Sequence, residues 1–193
     1  PATIGGEAPA FGVFTSGFVS VMTRSGGFSN VDIAAMNDST LVVMDLLMFV
    51  GGGSGSTAGG IKVTTLAILF LAAVAEARGT EDLQLFKRRI PVDILRLAVA
   101  IALWAATIVA VASVLVMHLS GAGMREAVFD TISAFATVGL TTGLTASAPT
   151  EATMVLAATM WLGRIGTVTL AAALASSERK QLYRWPEERI IVG

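Results

Sequence analysis

A run of residues without a single charged side chain, residues 97–117, constrains the fold of this chain more than any other feature. At a rise of about 1.5 Å per residue, a helix of this length is about as long as the hydrocarbon core of a bilayer is thick. Charged residues make up 14% of the chain, against roughly 25% in soluble domains. The run therefore indicates a membrane-spanning helix, with a large buried core helix as the alternative.

A second long apolar stretch, residues 152–175, is interrupted only by Arg164. The basic residues that precede the first run are Arg78, Lys87, Arg88, Arg89 and Arg96, and those that follow the second are Arg179, Lys180, Arg184 and Arg189. Because cytoplasmic segments beside membrane helices are enriched in Lys and Arg, both clusters are expected in the cytoplasm. The pattern predicts a multi-pass protein with a cytoplasmic C-terminus, in which the segment between the two spans lies toward the outside.

That outer segment contains a short amphipathic stretch, residues 124–136, followed by Thr137, Val138, Gly139 and Leu140. A potassium filter is a short backbone segment whose carbonyl oxygens replace the water around the ion. Gly139 suits such a backbone because glycine adopts dihedral angles that other residues resist. We therefore predict a pore helix at 124–136 and a filter strand at 137–140, with an ordinary turn as the alternative.

A second copy of this arrangement lies near the beginning of the chain. A short apolar stretch, at about residues 10–22, leads into Ser25, Gly26, Gly27 and Phe28. When Gly27 is aligned with Gly139, Ser25 falls opposite Thr137. We predict a second pore helix and filter strand here, although two unrelated glycine-containing loops would give the same pattern.

Ten small residues interrupt the apolar stretch of residues 39–75. They are Gly51, Gly52, Gly53, Ser54, Gly55, Ser56, Thr57, Ala58, Gly59 and Gly60. Glycine costs roughly 1 kcal/mol relative to alanine inside a helix, so this segment is expected to be unwound. Unwound backbone at membrane depth lines pathways or is buried in protein. We predict a broken helix with an intramembrane gate loop, while the small-residue spacing also fits close helix packing.

Arg164 falls near the middle of the second span, where a charge costs several kcal/mol on an insertion scale. Carbonyl groups of the unwound segment would suit it as partners, because guanidinium offers five donors. A fixed cation is also an electrostatic barrier in a cation pathway. We therefore predict that Arg164 and residues 51–60 form a gate; the alternative is that Arg164 only ties helices together. Asp130, in the second short helix, would support the filter or attract cations.

These features favour a potassium-conducting pore. One alternative is a secondary transporter of a small organic solute, with its site at the broken helix. A membrane-bound enzyme is disfavoured because the chain has no cysteine, a single histidine (His118) and no catalytic spacing. We expect no bound cofactor and no nucleic-acid partner, with K⁺ as the transported ion and membrane lipid around the chain.

Four blocks of sequence resemble the Trk/Ktr/HKT superfamily of potassium transporters, and within it the membrane subunit of the bacterial Ktr system. They are Ser-Val-Met-Thr-Arg-Ser-Gly-Gly-Phe at 20–28, Gly-Ser-Thr-Ala-Gly-Gly-Ile-Lys-Val at 55–63, Ser-Ala-Phe-Ala-Thr-Val-Gly-Leu-Thr-Thr-Gly-Leu at 133–144, and Leu-Gly-Arg-Ile-Gly at 162–166. The stretch at 183–189 also resembles the Ktr C-terminus. The resemblance implies an all-α membrane fold built from helix–pore-helix–helix repeats, in the bacterial cell membrane.

The resemblance also implies how the chain is divided. Residues 1–75 look like the end of a third repeat and residues 91–175 like a fourth, with helices at 91–117 and 150–175. Residues 76–90 then form a cytoplasmic loop and residues 176–193 a cytoplasmic tail. Two and a half repeats of the family pattern would be missing from this sequence.

The family pattern further implies a gate loop at 51–60, a gate arginine at Arg164, and a homodimer seated on a cytosolic ring of nucleotide-binding regulatory subunits. The third filter of the family usually reads Thr-Ala-Gly-Phe, whereas this chain has Ser25, Gly26, Gly27 and Phe28. Since the additional glycine loosens the strand, we predict weaker discrimination between potassium and sodium.

Overall fold

The computed structural model describes residues 9–53, 56, 58–79, 84–85 and 88–176, and its side chains from 12 to 165 outside the gaps and the strands. The helices of this part, in chain order, are α1 (Pro9–Met22), α2 (Asp38–Phe49), α3 (Val63–Ala77), α4 (Val92–Ser120), α5 (Met124–Phe135), α6 (Leu144–Ser147) and α7 (Thr150–Ser176). The described part is thus mostly helical, as predicted. Residues Ser54, Gly55 and Thr57 and nearly all of the predicted tail lie outside the described residues.

Two short strands occur in the segment predicted to be a cytoplasmic loop. They are β1 (Gln84–Leu85) and β2 (Arg88–Arg89), which pair antiparallel with Gln84 opposite Arg89. This hairpin is the one β-sheet in the described ranges, and the expectation of a purely helical chain did not include it.

The longest helix, α4, contains the uncharged run. It begins after Pro91, whose fixed φ of −61° suits a helix start, and ends at Gly121, where a φ of +66° reverses the chain. Among helices whose side chains are fully described, α4 is long and apolar enough to cross a membrane. The helix α7 covers the second predicted span.

Helix α5 lies at the centre of the fold and packs against α2, α4 and α7. Its residues 129–135 are all buried, and Phe129 and Phe135 are among the largest fully buried side chains. The same stretch includes three buried polar residues, Asp130, Thr131 and Ser133. Most buried polar groups have hydrogen-bond partners, whereas the Thr131 hydroxyl has none among the described residues.

The chain between α2 and α3 leaves the helical path at both ends. The amide of Gly51 donates to the carbonyl oxygen of Ile61 at 2.8 Å, and the amide of Ile61 donates to that of Phe49 at 3.3 Å. Val50 and Ile61 form an isolated parallel bridge. The two ends of the glycine-rich segment, residues 51–60, are therefore held side by side.

Candidate functional site

The loop that follows α5, residues 137–140, is called the second loop below. It begins with two hydrogen bonds that close the helix: the amide of Thr137 donates to Ala134 O at 3.0 Å, and that of Val138 to Ser133 O at 2.9 Å. Thr137 has a φ of +53° and Gly139 one of +96°, whereas φ is not positive at Val138. The dihedral sign therefore alternates along this loop.

The loop that follows α1, residues 25–28, is called the first loop and shows the same alternation. Ser25 has a φ of +71° and Gly27 one of +69°, whereas φ at Gly26 is not positive. Within the described part of the chain, Ser25 and Thr137 are the only residues other than glycine with positive φ. They occupy equivalent positions in the alignment of Gly27 with Gly139, so the two loops match in backbone conformation as well as in order.

This alternation decides where the carbonyl groups point. In an extended strand successive residues face opposite sides, whereas left-handed residues at every second position interrupt that pattern. Under the filter hypothesis, a loop of this kind would turn neighbouring carbonyl oxygens toward one side. Carbonyl oxygens arranged in this way are the groups that coordinate a dehydrated potassium ion.

The two loops lie directly beside each other. The hydroxyl of Ser25 donates to the carbonyl oxygen of Thr137 at 3.2 Å. A Cβ atom at Gly27 would fall against the carbonyl oxygen of Val138, and one at Gly139 would lie 3.5 Å from the Cα of Gly27. The fold therefore brings together the two segments that were predicted as filter strands.

Asp130 holds the chain that follows the second loop. Its buried carboxylate accepts hydrogen bonds from the Thr142 amide at 2.8 Å, the Thr141 hydroxyl at 2.6 Å, and the hydroxyls of Thr142 and Thr145, each at 3.1 Å. Such charge-assisted bonds are stronger than those between neutral groups. Of the two roles expected for Asp130, its geometry favours support of the loop. The sequence signal that could have revealed these partners is the group of threonines after the loop, Thr141, Thr142 and Thr145.

The glycine-rich segment packs against the start of the second loop. The amide of Gly59 donates to the hydroxyl oxygen of Thr137 at 3.0 Å. A Cβ atom at Gly59 would lie 2.9 Å from Phe135 O, and one at Gly60 would lie 3.3 Å from the Cβ of Ala136. Only glycine permits the backbone to approach this closely, and Gly60 also has a φ of +74°. Among the ten predicted gate residues, Ser54, Gly55 and Thr57 fall outside the described residues.

Lys62 supplies a cation to this segment, which the sequence reasoning did not assign. Its ammonium group donates to Ala58 O at 2.6 Å and to Ser56 O at 3.3 Å. A lysine two residues after the glycine-rich segment was the available signal, but only the fold shows that the side chain turns back onto the segment.

Arg164 lies beside the second loop. It lines a cavity of about 480 Å³ together with Thr137, Gly139, Trp161 and neighbouring residues. The preceding residue, Gly163, packs against the carbonyl oxygen of Phe135. The fold thus brings Arg164 to the second loop, and none of the described residues pairs with its guanidinium. The predicted pairing of Arg164 with carbonyls of residues 51–60 stays a prediction.

Comparison with known proteins gives this arrangement a family. The TrkH family, described as cation transport protein, matches residues 8–182. The Ktr system potassium uptake protein B of Vibrio alginolyticus is 38% identical over 176 residues, covering 91% of this chain and 38% of that protein. Its namesake from Bacillus subtilis is 34% identical over 193 residues, covering 100% of this chain and 43% of that protein.

A further relative is the potassium/sodium uptake protein NtpJ of Enterococcus hirae, which is 34% identical over 91% of this chain and 40% of its own length. The chain spans about two fifths of the length of these curated relatives. All of these descriptions are of transport proteins and not of enzymes. Because the family match extends over nearly the whole sequence, the chain belongs to the TrkH family of cation transport proteins.

Proposed function

We propose that this chain forms part of a potassium pathway across the bacterial cell membrane, with the first and second loops as two strands of its filter. The observation that carries the proposal is the shared alternation of φ sign at Ser25–Gly27 and Thr137–Gly139. The two loops also lie side by side, joined by the Ser25 hydroxyl and Thr137 O, and in the proposal their carbonyl oxygens line the filter. The names of the relatives, potassium uptake and potassium/sodium uptake, support a monovalent cation.

Two helices strengthen the electrostatic side of this proposal. The C-terminal end of α1 leads into the first loop, and that of α5 leads into the second loop. A helix C-terminus carries a partial negative charge, which favours a cation nearby. Both loops therefore receive a dipole of the sign that attracts K⁺, which is the transported substrate and not a resident cofactor.

The proposed architecture follows the family pattern. Residues 1–75 would be the end of a third repeat, with a helix broken at 51–60, and residues 91–175 a fourth repeat of helix, pore helix and helix. Residues 76–90 and 176–193 would be cytoplasmic. The remaining strands of the filter would come from the rest of a longer protein, since the relatives are more than twice as long.

The proposed gate consists of residues 51–60 and Arg164, on the inner side of the filter. Two observations support it. Gly59 and Gly60 pack closely at the start of the second loop, and Arg164 lines the adjoining cavity. The fixed guanidinium opposes a passing cation unless the gate region rearranges.

The proposed assembly is a homodimer in the membrane, associated with a cytosolic ring of nucleotide-binding regulatory subunits. Relatives named as proteins of a Ktr system support further components, while the homodimer follows only from the family resemblance.

Rubidium uptake into vesicles that contain the full-length protein tests the function. We expect Gly139→Ala to abolish most of the uptake, because alanine is strained at a φ of +96°. The matched control is Gly79→Ala, which is also left-handed, at +65°, but has open space around it and lies away from both loops. Absence of uptake by the parent protein would favour the organic-solute transporter instead.

Arg164→Ala tests the gate in the same vesicles. We expect higher rubidium uptake, because the electrostatic barrier beside the second loop is removed. Arg96→Ala, in the first turns of α4, is the control for loss of an arginine. Unchanged or lower uptake by folded Arg164→Ala protein would remove this residue from the gate.

A further inference from the structure

We infer that the Thr137 hydroxyl is a positioning group that holds the glycine-rich segment against the second loop and so couples the gate to the filter. This inference rests on the proposed function, since it assigns a regulatory contact between the two proposed parts. The contact itself is the hydrogen bond from the Gly59 amide to Thr137 Oγ1 at 3.0 Å.

Thr137 is an unusual residue for its conformation. A positive φ is uncommon outside glycine and asparagine, and for a β-branched side chain it is a true outlier. Strained backbone of this kind persists where the surroundings hold it and where function uses it. Here the surroundings supply three hydrogen bonds. Two are the backbone hydrogen bonds that close α5, and the third is donated by the Gly59 amide to the Thr137 hydroxyl oxygen. A glycine at position 137 would relieve the strain but lose the hydroxyl.

The hydroxyl is also part of a continuous chain of contacts. The Ser25 hydroxyl donates to Thr137 O, and Thr137 Oγ1 accepts from Gly59, so the first loop, the second loop and the glycine-rich segment meet at one residue. A displacement of the segment therefore acts on Thr137, whose carbonyl is also in contact with the first loop.

The other hydrogen bonds of the segment hold it to itself and to its own flanks. Gly51 donates to Ile61 O, the amide of Val63 donates to Gly52 O at 3.4 Å, and Lys62 binds Ala58 O and Ser56 O. These bonds travel with the segment if it moves as a unit. In the described part of the segment, the hydrogen bond that the Gly59 amide donates differs from these, because its acceptor, Thr137 Oγ1, belongs to the second loop. Breaking it leaves the segment's own hydrogen bonds intact, and only the close packing of Gly59 and Gly60 on Phe135 and Ala136 then holds the segment to this part of the fold.

Thr137→Val is the sharpest test, because valine has the same shape and branching but no hydroxyl. The full-length protein is followed by hydrogen–deuterium exchange of the peptide that contains Gly59 and by rubidium uptake. We expect exchange at Gly59 to rise about fivefold, which is the effect of losing one hydrogen bond, and basal uptake to rise with it. Thr137→Ser keeps the hydroxyl, so exchange at Gly59 should stay at the level of the parent protein.

The control is Thr107→Val, which removes a threonine hydroxyl that bonds only Leu103 O within α4. If Thr137→Val does not fold, Thr137→Ala gives the same comparison without the strain of a branched side chain. Unchanged exchange at Gly59, an equal rise in Thr137→Ser, or raised exchange with unchanged uptake would overturn the inference. A parent protein that carries no rubidium would instead refute the proposed function, while the exchange comparison would still report on the hydrogen bond.

Discussion

The first and second loops share one backbone conformation but differ in how it is supported. Leu140, which ends the second loop, is 4% exposed, whereas Phe28 at the matching position of the first loop is 74% exposed. Positive φ angles are strained at Ser25 and Thr137, which are not glycine. Each loop therefore depends on the surrounding structure to keep its conformation.

The supports of the two loops are chemically different. Asp130 binds the chain after the second loop with four hydrogen bonds, whereas the matching position before the first loop is Phe18, which is partly exposed and apolar. The first loop instead contacts the second loop through Ser25. In this part of the fold the second loop is thus braced from within, and the first loop relies on the second.

Replacement of Asp130 should give the largest loss of stability. Asp130→Ala leaves a buried amide and several hydroxyls without an acceptor, and each bond to a carboxylate contributes about 1.5–3 kcal/mol, although not additively. We expect a loss of about 4 kcal/mol in the free energy of unfolding, measured by denaturation of the full-length protein in detergent.

Two variants sharpen this comparison. Asp130→Asn keeps one oxygen for the Thr142 amide, and threonine hydroxyls can accept from its new amide, so we expect a loss of about 1–2 kcal/mol. Asp32→Ala, near the first loop, removes an exposed carboxylate that accepts only from the Ala34 amide, and should cost less than about 1 kcal/mol. A similar loss for Asp32→Ala and Asp130→Ala would show that the loops are equally braced.

Alanine at Gly27 should be more damaging than alanine at Gly139. Both residues have positive φ, which costs an L-residue about 1–2 kcal/mol. At Gly27 the new Cβ also falls against Val138 O, and overpacking adds about 1–3 kcal/mol. At Gly139 the nearest atom is at an ordinary contact distance of 3.5 Å.

We therefore expect Gly27→Ala to cost about 3 kcal/mol and Gly139→Ala about 1–2 kcal/mol, by the same denaturation measurement. Gly143→Ala, with a φ of +97° and nothing within 4 Å, is the control for strain alone. Equal losses at all three positions would mean that the first loop does not seat on the second.

Local sequence indicated the helical character and the two matched loops, because each loop follows a short helix, apolar in one copy and amphipathic in the other, and carries glycine at the same position. The contacts between segments far apart in the sequence could not be predicted in the same way. The hydrogen bond between Gly59 and Thr137 joins residues that are 78 positions apart in the sequence, and the one between Ser25 and Thr137 joins residues that are 112 apart. The sequence also did not show that the Lys62 ammonium group binds the carbonyl oxygen of Ala58, because a long side chain can point to solvent, lipid or backbone.

A smaller effect is expected when the first loop is made more like its family pattern. Gly26 does not have a positive φ, and its new Cβ would meet the flexible thioether of Met22 and lie 3.2 Å from the Cα of Met22, so Gly26→Ala should fold after a shift of that side chain and a small adjustment of the backbone. Because alanine restricts the loop, we predict better discrimination of potassium against sodium, measured by reversal potentials of the full-length protein. Gly17→Ala, within α1 and with nothing within 4 Å, is the control. No gain in selectivity would contradict the prediction.

The weakest support to test is the ion pair that holds the segment after the first loop. Arg125 binds Asp38 at 2.6 Å and Ala34 O at 2.8 Å, but the two side chains are 38% and 79% exposed. Exposed pairs contribute about 0.2–1 kcal/mol because water and salt screen them. A double-mutant cycle of Arg125→Ala and Asp38→Asn should therefore give a coupling free energy below about 0.5 kcal/mol, falling further at high salt. A coupling several times larger would show that the first loop has a brace of its own, and its reliance on the second loop would then be less than the fold suggests.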